Sequence, residues 1–262
     1  MQIFAQVTQM IANCSLNFLN YICADNWSRR LVPSNIDSGA IKAARSSQKS
    51  KALNMNSFYV VLLCVLCLTR AEQEELSVRR LMKELDVIPD VLKELPQGLL
   101  KMRFENGMEI EEGKTYTPTE LKFQPRLEWN GDSESFYTII MLSPDAPSRE
   151  YPIYRSWLHW LVVNVPGMDV AKGQAISEYF GPMPPKDSGL LRYVALVYRQ
   201  SGKLDFDEKK MDLKNAEDHS NFDLEKFTQK YDMSAPCAGN VFQSKWDEYV
   251  SELMKMLYDV SE

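Results

Sequence analysis

The alternation of hydrophobic and polar positions divides the chain into parts with different periods. Residues 72–85 carry apolar side chains at Val78, Leu81, Met82 and Leu85, and this helical spacing predicts an amphipathic helix that Pro89 ends. Between residues 99 and 198, short runs of β-forming residues are separated by Asn-Gly, Pro-Gly and single-proline turn signals. Strands repeated at this spacing predict a sandwich or a barrel.

The middle part contains six predicted strands, each followed by a turn signal. They cover residues 99–104, a short stretch at 116, and residues 126–129, 136–142, 157–165 and 192–198. The C-terminal part returns to helical spacing over residues 222–231, with Ser220 or Asn221 as the N-cap, and over residues 245–258 after Ser244. The second of these helices has one apolar face, formed by Trp246, Tyr249, Val250, Leu253 and Leu257.

An uninterrupted apolar run covers residues 58–68, before the first amphipathic helix. Its eleven residues are fewer than the roughly 17–25 that a membrane-spanning helix needs, so no stable membrane span is predicted. Met55 precedes the run and Thr69 and Ala71 follow it at the spacing of a cleavage site, so residues 55–71 are predicted to be a signal peptide. A buried strand or helix of the fold is the alternative interpretation of the run.

The segment before this run is interpreted as a disordered leader or an upstream extension of the gene model. Residues 1–54 show no sustained period and include a Ser/Lys/Arg-rich stretch. An organelle transit peptide is the alternative, since the segment is poor in acidic residues. The expected organisation is therefore a leader over 1–54, a signal peptide over 55–71 and a secreted domain over 72–262.

The charge of the chain changes sign near residue 70. Residues 1–70 carry seven lysines and arginines against two aspartates, a net charge of +5, whereas the remaining 192 residues carry 23 basic and 34 acidic side chains, a net charge of −11. The acidic part is the candidate folded domain. Its charge argues against a nucleic-acid partner and against an anionic membrane surface.

Cysteine and histidine are too scarce to support a disulfide framework or a histidine metal site. Four of the five cysteines precede residue 70, and Cys237 alone belongs to the acidic part, where a small buried residue is a better interpretation than a nucleophile. The two histidines are His159 and His219, and the polar surroundings of His219 predict a solvated side chain. Standard nucleotide, zinc-protease and hydrolase motifs are absent from the sequence, so no cofactor, no metal and no catalytic residue are predicted.

Three clusters of proline and polar residues could form a binding site. Asp145 lies between two prolines directly after a strand, which fixes its backbone. Trp157 and His159 are two residues apart on a predicted strand and therefore share a face. The stiff loop over residues 181–193 could present backbone N–H groups to an anion. The alternatives are a turn with a solvated aspartate, a hydrogen-bonded core histidine and a rigid connector.

These three clusters, in this order, resemble the phosphatidylethanolamine-binding protein family, also called the Raf-kinase-inhibitor-like family. The motifs are PDAPSR at 144–149, YRSWLHWLVVNVPG at 154–167 and PPKDSGLLRY at 184–193, and the similarity extends over roughly residues 90–258. Residues 79–89 and 111–125 are similar to a secreted, antennal branch of the family that is described as odorant-binding. The resemblance implies a mainly β fold: a central antiparallel β-sandwich with one N-terminal helix and two C-terminal helices.

The resemblance also implies a small ligand pocket at one end of the sandwich. The family's pocket positions correspond here to Asp145, Trp157, His159, Gly181, Met183, Pro184, Pro185, Leu191 and Tyr193. Met183 stands where the family has a glycine, and Leu191 stands where it has a second histidine. Since a methionine fills space and a leucine cannot donate a hydrogen bond, the pocket is expected to be more apolar and less suited to phosphate than is usual in the family.

The function expected from these observations is a secreted, non-enzymatic protein that binds a small apolar or amphipathic ligand, lipid or odorant, with olfaction as one setting. In this interpretation Asp145 accepts a hydrogen bond from the ligand and helps to set the tautomer of His159. The alternative is a protein-interaction inhibitor of a kinase or protease. A third, weaker alternative is a hydrolase that uses Asp145 and His159 as an acid/base pair.

Overall fold

The computed structural model describes residue 76 and residues 79–111 and 114–258. The predicted leader, the predicted signal peptide and the first residues of the predicted N-terminal helix lie outside this range. Residues 79–84 are helical, and a turn at residues 85–86 with Asp86 at φ 53° interrupts the helix. A second short helix, α1 (Val87–Asp90), then contains Pro89. The prediction that Pro89 ends the helix is therefore wrong, because the left-handed residue Asp86 breaks it earlier.

The described residues contain eight strands. These are β1 (Lys101–Arg103), β2 (Thr115–Tyr116), β3 (Arg126–Glu128), β4 (Phe136–Ser143), β5 (Trp157–Pro166), β6 (Gln174–Ser177), β7 (Leu191–Arg199) and β8 (Ala238–Ser244), with a 3₁₀ turn at Val170–Lys172. All six predicted strands are confirmed. The strands β6 and β8 were not predicted.

Three further helices follow β7 in the chain: α2 (Ala216–His219), α3 (Leu224–Lys230) and α4 (Glu248–Tyr258). The N-cap of α3 is Asp223, whose side chain accepts a hydrogen bond from the Lys226 backbone N–H at 2.9 Å, and not Ser220 or Asn221. Ser244 ends β8, so the last helix begins at Glu248, three residues later than predicted.

The strands form a six-stranded sheet in the order β2-β8-β7-β4-β5-β6 and a two-stranded sheet of β1 and β3. Neighbouring strands are antiparallel, with the exception of the parallel pair β2 and β8. The mainly β fold is thus confirmed, and the central strands are antiparallel as expected, with one parallel pair at the edge of the sheet.

Both faces of the large sheet are covered, which explains the unbroken apolar runs of β4 and β5. On one face, Met102 of β1 and Leu127 of β3 share a core with Ile139 and Trp160. On the other face, helical residues such as Met82 and Phe227 pack with residues of β4, β5 and β7. A sheet buried on both sides needs apolar residues at successive positions. The candidate site lies at the ends of these central strands.

The described residues include no helix that is long and apolar enough to cross a membrane. Cys237 is half-buried, carries a free thiol and donates to the Val197 carbonyl at 3.3 Å. Burial raises the pKa of this thiol to about 11, so it stays protonated at neutral pH. This agrees with a packing role for Cys237.

Candidate functional site

A cavity of about 630 Å³ lies at the C-terminal end of β4 and the N-terminal ends of β5 and β7. Strand ends form its base, and residues before and within α4 form its outer wall. The lining is mostly apolar and consists of Ser143, Ala146, Pro147, Tyr154, Trp157, His159, Met183, Pro185, Lys186, Leu191, Tyr193, Trp246, Val250, Ser251 and Met254.

Six of the nine residues predicted for the pocket line this cavity. They are Trp157, His159, Met183, Pro185, Leu191 and Tyr193. Asp145, Gly181 and Pro184 are not part of the lining. The three clusters identified in the sequence therefore do meet at one place, although not every predicted residue faces the cavity.

A β-bulge positions His159. Met141 of β4 pairs with Trp160, and the next residue, Leu142, pairs with Leu158, so His159 is an extra residue in β5. A bulge of this kind redirects a side chain, since two residues on one strand oppose a single residue on the other. His159 consequently packs on the same face as Trp160, where its ring stacks on Phe180 at a centroid distance of 5.7 Å.

The His159 ring is hydrogen-bonded to a backbone carbonyl and is otherwise surrounded by aromatic rings. Its Nδ1 lies 3.0 Å from the Phe180 oxygen, and its ring meets Tyr193 edge-on at 5.1 Å. Burial lowers the pKa of His159 to about 4, against the opposing effect of the Phe180 and Gly181 backbone. The imidazole is therefore neutral at physiological pH.

Asp145 does not have the role that the sequence suggested. Its carboxylate accepts hydrogen bonds from Arg192 Nε at 2.9 Å, from Nη2 at 2.6 Å and from the Arg192 backbone N–H at 2.8 Å. The Phe180 carbonyl, and not Asp145, sets the tautomer of His159. The prediction that Asp145 controls the tautomer is therefore wrong, because the Phe180 oxygen and not the carboxylate contacts the His159 ring. Asp145 does not line the cavity, and its contact with a ligand stays a prediction.

Gly181 and Pro184 belong to the loop that forms the cavity wall, but their roles are structural. A Cβ atom on Gly181 would come within 2.8 Å of the Leu121 carbonyl oxygen, so the loop can approach residues 121–122 only with a glycine there. Pro184 is buried behind the two lining residues Met183 and Pro185. Neither residue lines the cavity, and the expectation that Gly181 and Pro184 contact the ligand stays a prediction.

Tyr193 is fully buried at the base of the cavity. Burial raises the pKa of its hydroxyl well above the usual value, and the nearby Met183 backbone opposes this shift. The hydroxyl therefore stays protonated at physiological pH and can donate a hydrogen bond.

The rim of the cavity carries its one charged lining residue, Lys186, which is exposed. Its ammonium group lies 5.0 Å from the centre of the Trp246 ring, within the range of a cation–π contact. The lining residues Trp246, Val250 and Met254 follow one another at a spacing of four. The apolar face of the last helix was visible in the sequence, but nothing there indicated that it closes a cavity.

His219 is buried, contrary to the prediction of a solvated side chain. Its Nδ1 lies 3.0 Å from the Leu158 oxygen and its Nε2 lies 3.2 Å from the Asp212 oxygen. The ring stacks on Trp157 at 6.2 Å with an interplanar angle of 14°. His219 therefore supports the cavity wall from behind.

Among the residues that the structure describes, no group of three or more histidine, cysteine or acidic side chains could hold a metal ion.

A family model described as phosphatidylethanolamine-binding protein matches residues 101–243. The chain belongs to this family.

One relative shares most of its sequence with this chain. The Drosophila melanogaster protein named "Putative odorant-binding protein A5" is 65% identical over 210 residues, which cover 80% of this chain and 100% of that protein. This phosphatidylethanolamine-binding protein is therefore aligned with that relative along the relative's whole length.

Solved structures share the fold. The "CG7054 solution structure" is 36% identical, has a TM-score of 0.55 and covers 66% of this chain and 98% of that one. The carboxypeptidase Y inhibitor, crystallised in complex with its cognate proteinase, is 20% identical, has a TM-score of 0.56 and covers 68% of this chain and 97% of that one. At that identity the inhibitor supports the fold alone.

Proposed function

We propose that this phosphatidylethanolamine-binding protein is a secreted carrier that holds one small apolar or amphipathic molecule in the cavity and does not convert it. The observation that carries the proposal is the cavity itself, whose volume of about 630 Å³ lies within the roughly 300–1,000 Å³ typical of small-molecule sites. The name of the 65% identical relative, "Putative odorant-binding protein A5", supports the same class of function.

The chemistry of the lining favours binding over catalysis. The carboxylate of Asp145 is engaged by Arg192, so it is not available to form an acid/base pair with His159. The Ser143 hydroxyl accepts a hydrogen bond from the Asp145 backbone N–H at 3.4 Å, and no hydrogen bond joins Ser143 to His159 in the described part of the chain. Without a nucleophile coupled to a base, the cavity lacks the arrangement that acyl transfer needs.

Secretion is part of the proposal and rests on the sequence of residues 55–71. Expression from Met55 in insect cells should release a product that begins at Glu72. N-terminal sequencing of the medium fraction tests this, and a secreted product that still begins at Met55 would contradict it.

The binding test uses the fluorescent apolar probe N-phenyl-1-naphthylamine and two variants of α4. Ser251→Trp places an indole in the cavity, because Ser251 lines it, whereas Glu252→Trp places the same group on the exposed side of the helix. The wild type and Glu252→Trp should bind the probe alike, and Ser251→Trp should lose most of the binding. Equal binding by both variants would show that the probe lies elsewhere and would remove the support for this site.

A protein-interaction inhibitor of a kinase or protease is the alternative function. It needs an exposed surface and not a filled cavity, so Ser251→Trp should leave an inhibitor's activity intact. A protein that binds no small molecule but inhibits a protease equally well with either tryptophan variant would favour this alternative.

A further inference from the structure

The base of the cavity carries three polar groups, which we call the floor: Ser143, His159 and Tyr193. Each lines the cavity, and each is at most 3% exposed. They come from β4, β5 and β7, which are neighbours in the sheet. A ligand that reaches the floor must satisfy these groups, since a buried polar group without a partner is costly.

His159 offers the ligand a hydrogen-bond acceptor. Because a carbonyl oxygen can only accept, the contact of Nδ1 with the Phe180 oxygen assigns the ring proton to Nδ1. A neutral imidazole has one N–H, so Nε2 carries a lone pair. No donor from the described residues hydrogen-bonds Nε2, and it is thus the acceptor that the ring presents.

The two hydroxyl groups of the floor offer the ligand donors. The oxygen of Ser143 accepts a hydrogen bond from the Asp145 N–H at 3.4 Å, and no residue in the described part of the chain forms a hydrogen bond with the Tyr193 hydroxyl. Within the described part of the chain, neither hydroxyl donates to a protein acceptor. Both O–H protons are therefore available to a ligand oxygen, and the floor combines an acceptor with donors.

Charge near the floor is balanced, which disfavours a charged ligand group. The Asp145 carboxylate behind Ser143 is neutralised by Arg192, and both side chains are almost fully buried. The ammonium of Lys186 lies at the exposed rim, where solvent weakens its attraction for an anion. An ionised group on the floor would lose its hydration without gaining a counter-charge.

Among simple ligand groups, a hydroxyl fits this floor best. It donates one hydrogen bond and accepts up to two, as the floor requires. An ether or a ketone only accepts hydrogen bonds and would leave His159 Nε2 without a partner. An ionised carboxylate or phosphate would also leave Nε2 without a partner, and it would bring an uncompensated charge to the floor. The apolar walls formed by Leu191, Val250 and Met254 would cover a hydrocarbon body.

We infer that the cavity selects neutral ligands that carry a hydroxyl group on an apolar body, with the hydroxyl donating to Nε2 of His159 and accepting from Ser143 or Tyr193. This inference rests on the proposed function and adds the ligand class to it. His159 is then the residue that determines specificity within a cavity whose walls bind the hydrocarbon part.

The test compares four probes with the same ten-carbon chain by isothermal titration calorimetry on the full chain at pH 7.5: decan-1-ol, 1-methoxydecane, decanoate and decyl phosphate. The alcohol should bind at least about fivefold more tightly than the methyl ether, the lower limit expected when one buried acceptor is left unpaired. Both anions should bind more weakly than the alcohol.

Two variants show whether His159 causes the preference. In His159→Phe the aromatic ring is kept and Nε2 is lost, so the ratio of alcohol to ether affinity should fall to about one. In Met254→Leu, a matched change of an apolar wall residue, the ratio should remain that of the wild type. Circular dichroism checks that each variant folds. If His159→Phe does not fold, the inference is tested by the ratio of alcohol to ether affinity in the wild type alone.

The outcomes separate this inference from the proposed function. Three results would overturn the inference and still leave a ligand-binding cavity. In the first, the wild type binds the alcohol and the ether equally; in the second, it binds either anion most tightly. In the third, the ratio of alcohol to ether affinity in His159→Phe stays as high as in the wild type. Failure of all four probes and of N-phenyl-1-naphthylamine to bind would overturn both.

Discussion

The Asp145 carboxylate and the Arg192 guanidinium form a two-pronged ion pair, with Nη2 to Oδ1 at 2.6 Å and Nε to Oδ2 at 2.9 Å. Arg192 Nη1 also donates to the carbonyl oxygens of Leu85 and Asp86, at 2.9 and 3.0 Å. The pair thus fastens the N-terminal helical segment to the strand ends beneath the cavity. Asp145 is thereby placed to act on the site through this support.

Replacing Asp145 by asparagine should destabilise the fold and spare ligand affinity. The variant removes the buried member of the two carboxylates that pair with Arg192, and Asp90 remains at 2.7 Å from Nη2. Breaking a buried ion pair on one side typically costs about 3–5 kcal/mol of unfolding free energy, and the remaining Asp90 contact should keep the loss at the lower end of that range. Urea unfolding should show this loss, and binding of N-phenyl-1-naphthylamine to the folded fraction should change less than twofold.

The matched control is Asp132→Asn, which breaks the exposed pair between Asp132 and Arg199. Such a surface pair is worth about 0–1 kcal/mol. If Asp145→Asn retained wild-type stability but lost probe binding, Asp145 would have the ligand role that the sequence suggested.

Gly181 should resist substitution because of the Leu121 backbone. The Cβ of an alanine would meet the Leu121 oxygen at 2.8 Å and the Lys122 Cα at 3.4 Å, and a backbone carbonyl cannot rotate away as a flexible side chain can. Gly181→Ala should cost about 1–3 kcal/mol, in the range of other overpacked sites, and should weaken probe binding by moving the cavity wall.

Gly202→Ala is the control for this substitution, since nothing lies within 4 Å of its would-be Cβ atom. Its thermal midpoint should stay close to that of the wild type. Equal midpoints for the two alanine variants would argue that the loop at Gly181 is free to move.

The central strands could be predicted from the sequence, and β8 could not. Strands β4, β5 and β7 are apolar runs between turn signals. In β8, Gly239 packs so closely on Pro96 that a Cβ would lie 2.6 Å from the proline ring, and Asn240 donates to the Leu100 oxygen at 2.8 Å. These residues are dictated by partners about 140 positions away, so local strand propensity carries no signal of them.

The candidate site, too, could be predicted only in part from the local sequence. The motifs predicted that Trp157, His159 and Tyr193 would lie together, but residue types alone did not predict the bulge at His159 or the pairing of Asp145 with Arg192. His219 lies in a polar stretch that suggested exposure, yet its ring nitrogens contact carbonyls of Leu158 and Asp212. Its environment depends on the strand behind it, which composition does not reveal.

The stability of the fold should fall in mildly acidic solution because of His159. Its pKa is about 4 in the fold, where burial disfavours the imidazolium, against about 6.5 in the unfolded chain. Between pH 6.5 and 4 the unfolded state therefore binds a proton that the folded state excludes, and stability decreases as the pH falls. Below pH 4 both states are protonated and this contribution levels off, after a loss of about 3 kcal/mol.

Urea unfolding of the wild type and of His159→Phe between pH 7.5 and 4.5 measures this contribution. Carboxylates such as Asp90 titrate in both proteins, so the difference between the two curves isolates the histidine. The wild type should lose more stability than the variant over this range. Parallel curves would mean that His159 is not kept neutral by the fold.

Met183 and Leu191 should together determine how tightly the cavity binds a phosphate group. Both side chains line it at positions where the family resemblance implies a glycine and a histidine. A glycine at 183 would let an anion approach the backbone N–H groups of the loop, and a histidine at 191 would add a donor. A hydrogen bond to a charged group is worth about 1.5–3 kcal/mol, roughly a ten- to hundredfold change in affinity per contact.

The double variant Met183→Gly/Leu191→His should therefore bind phosphoethanolamine measurably more tightly than the wild type in calorimetry. Met183→Leu/Leu191→Met, which keeps both positions apolar and of similar volume, should behave as the wild type does. A wild type that binds phosphoethanolamine as tightly as the glycine–histidine variant would show that the backbone of the loop is reached despite Met183. In that case the apolar lining would not discriminate against a phosphate headgroup, and the preference expected for decan-1-ol over decyl phosphate should vanish with it.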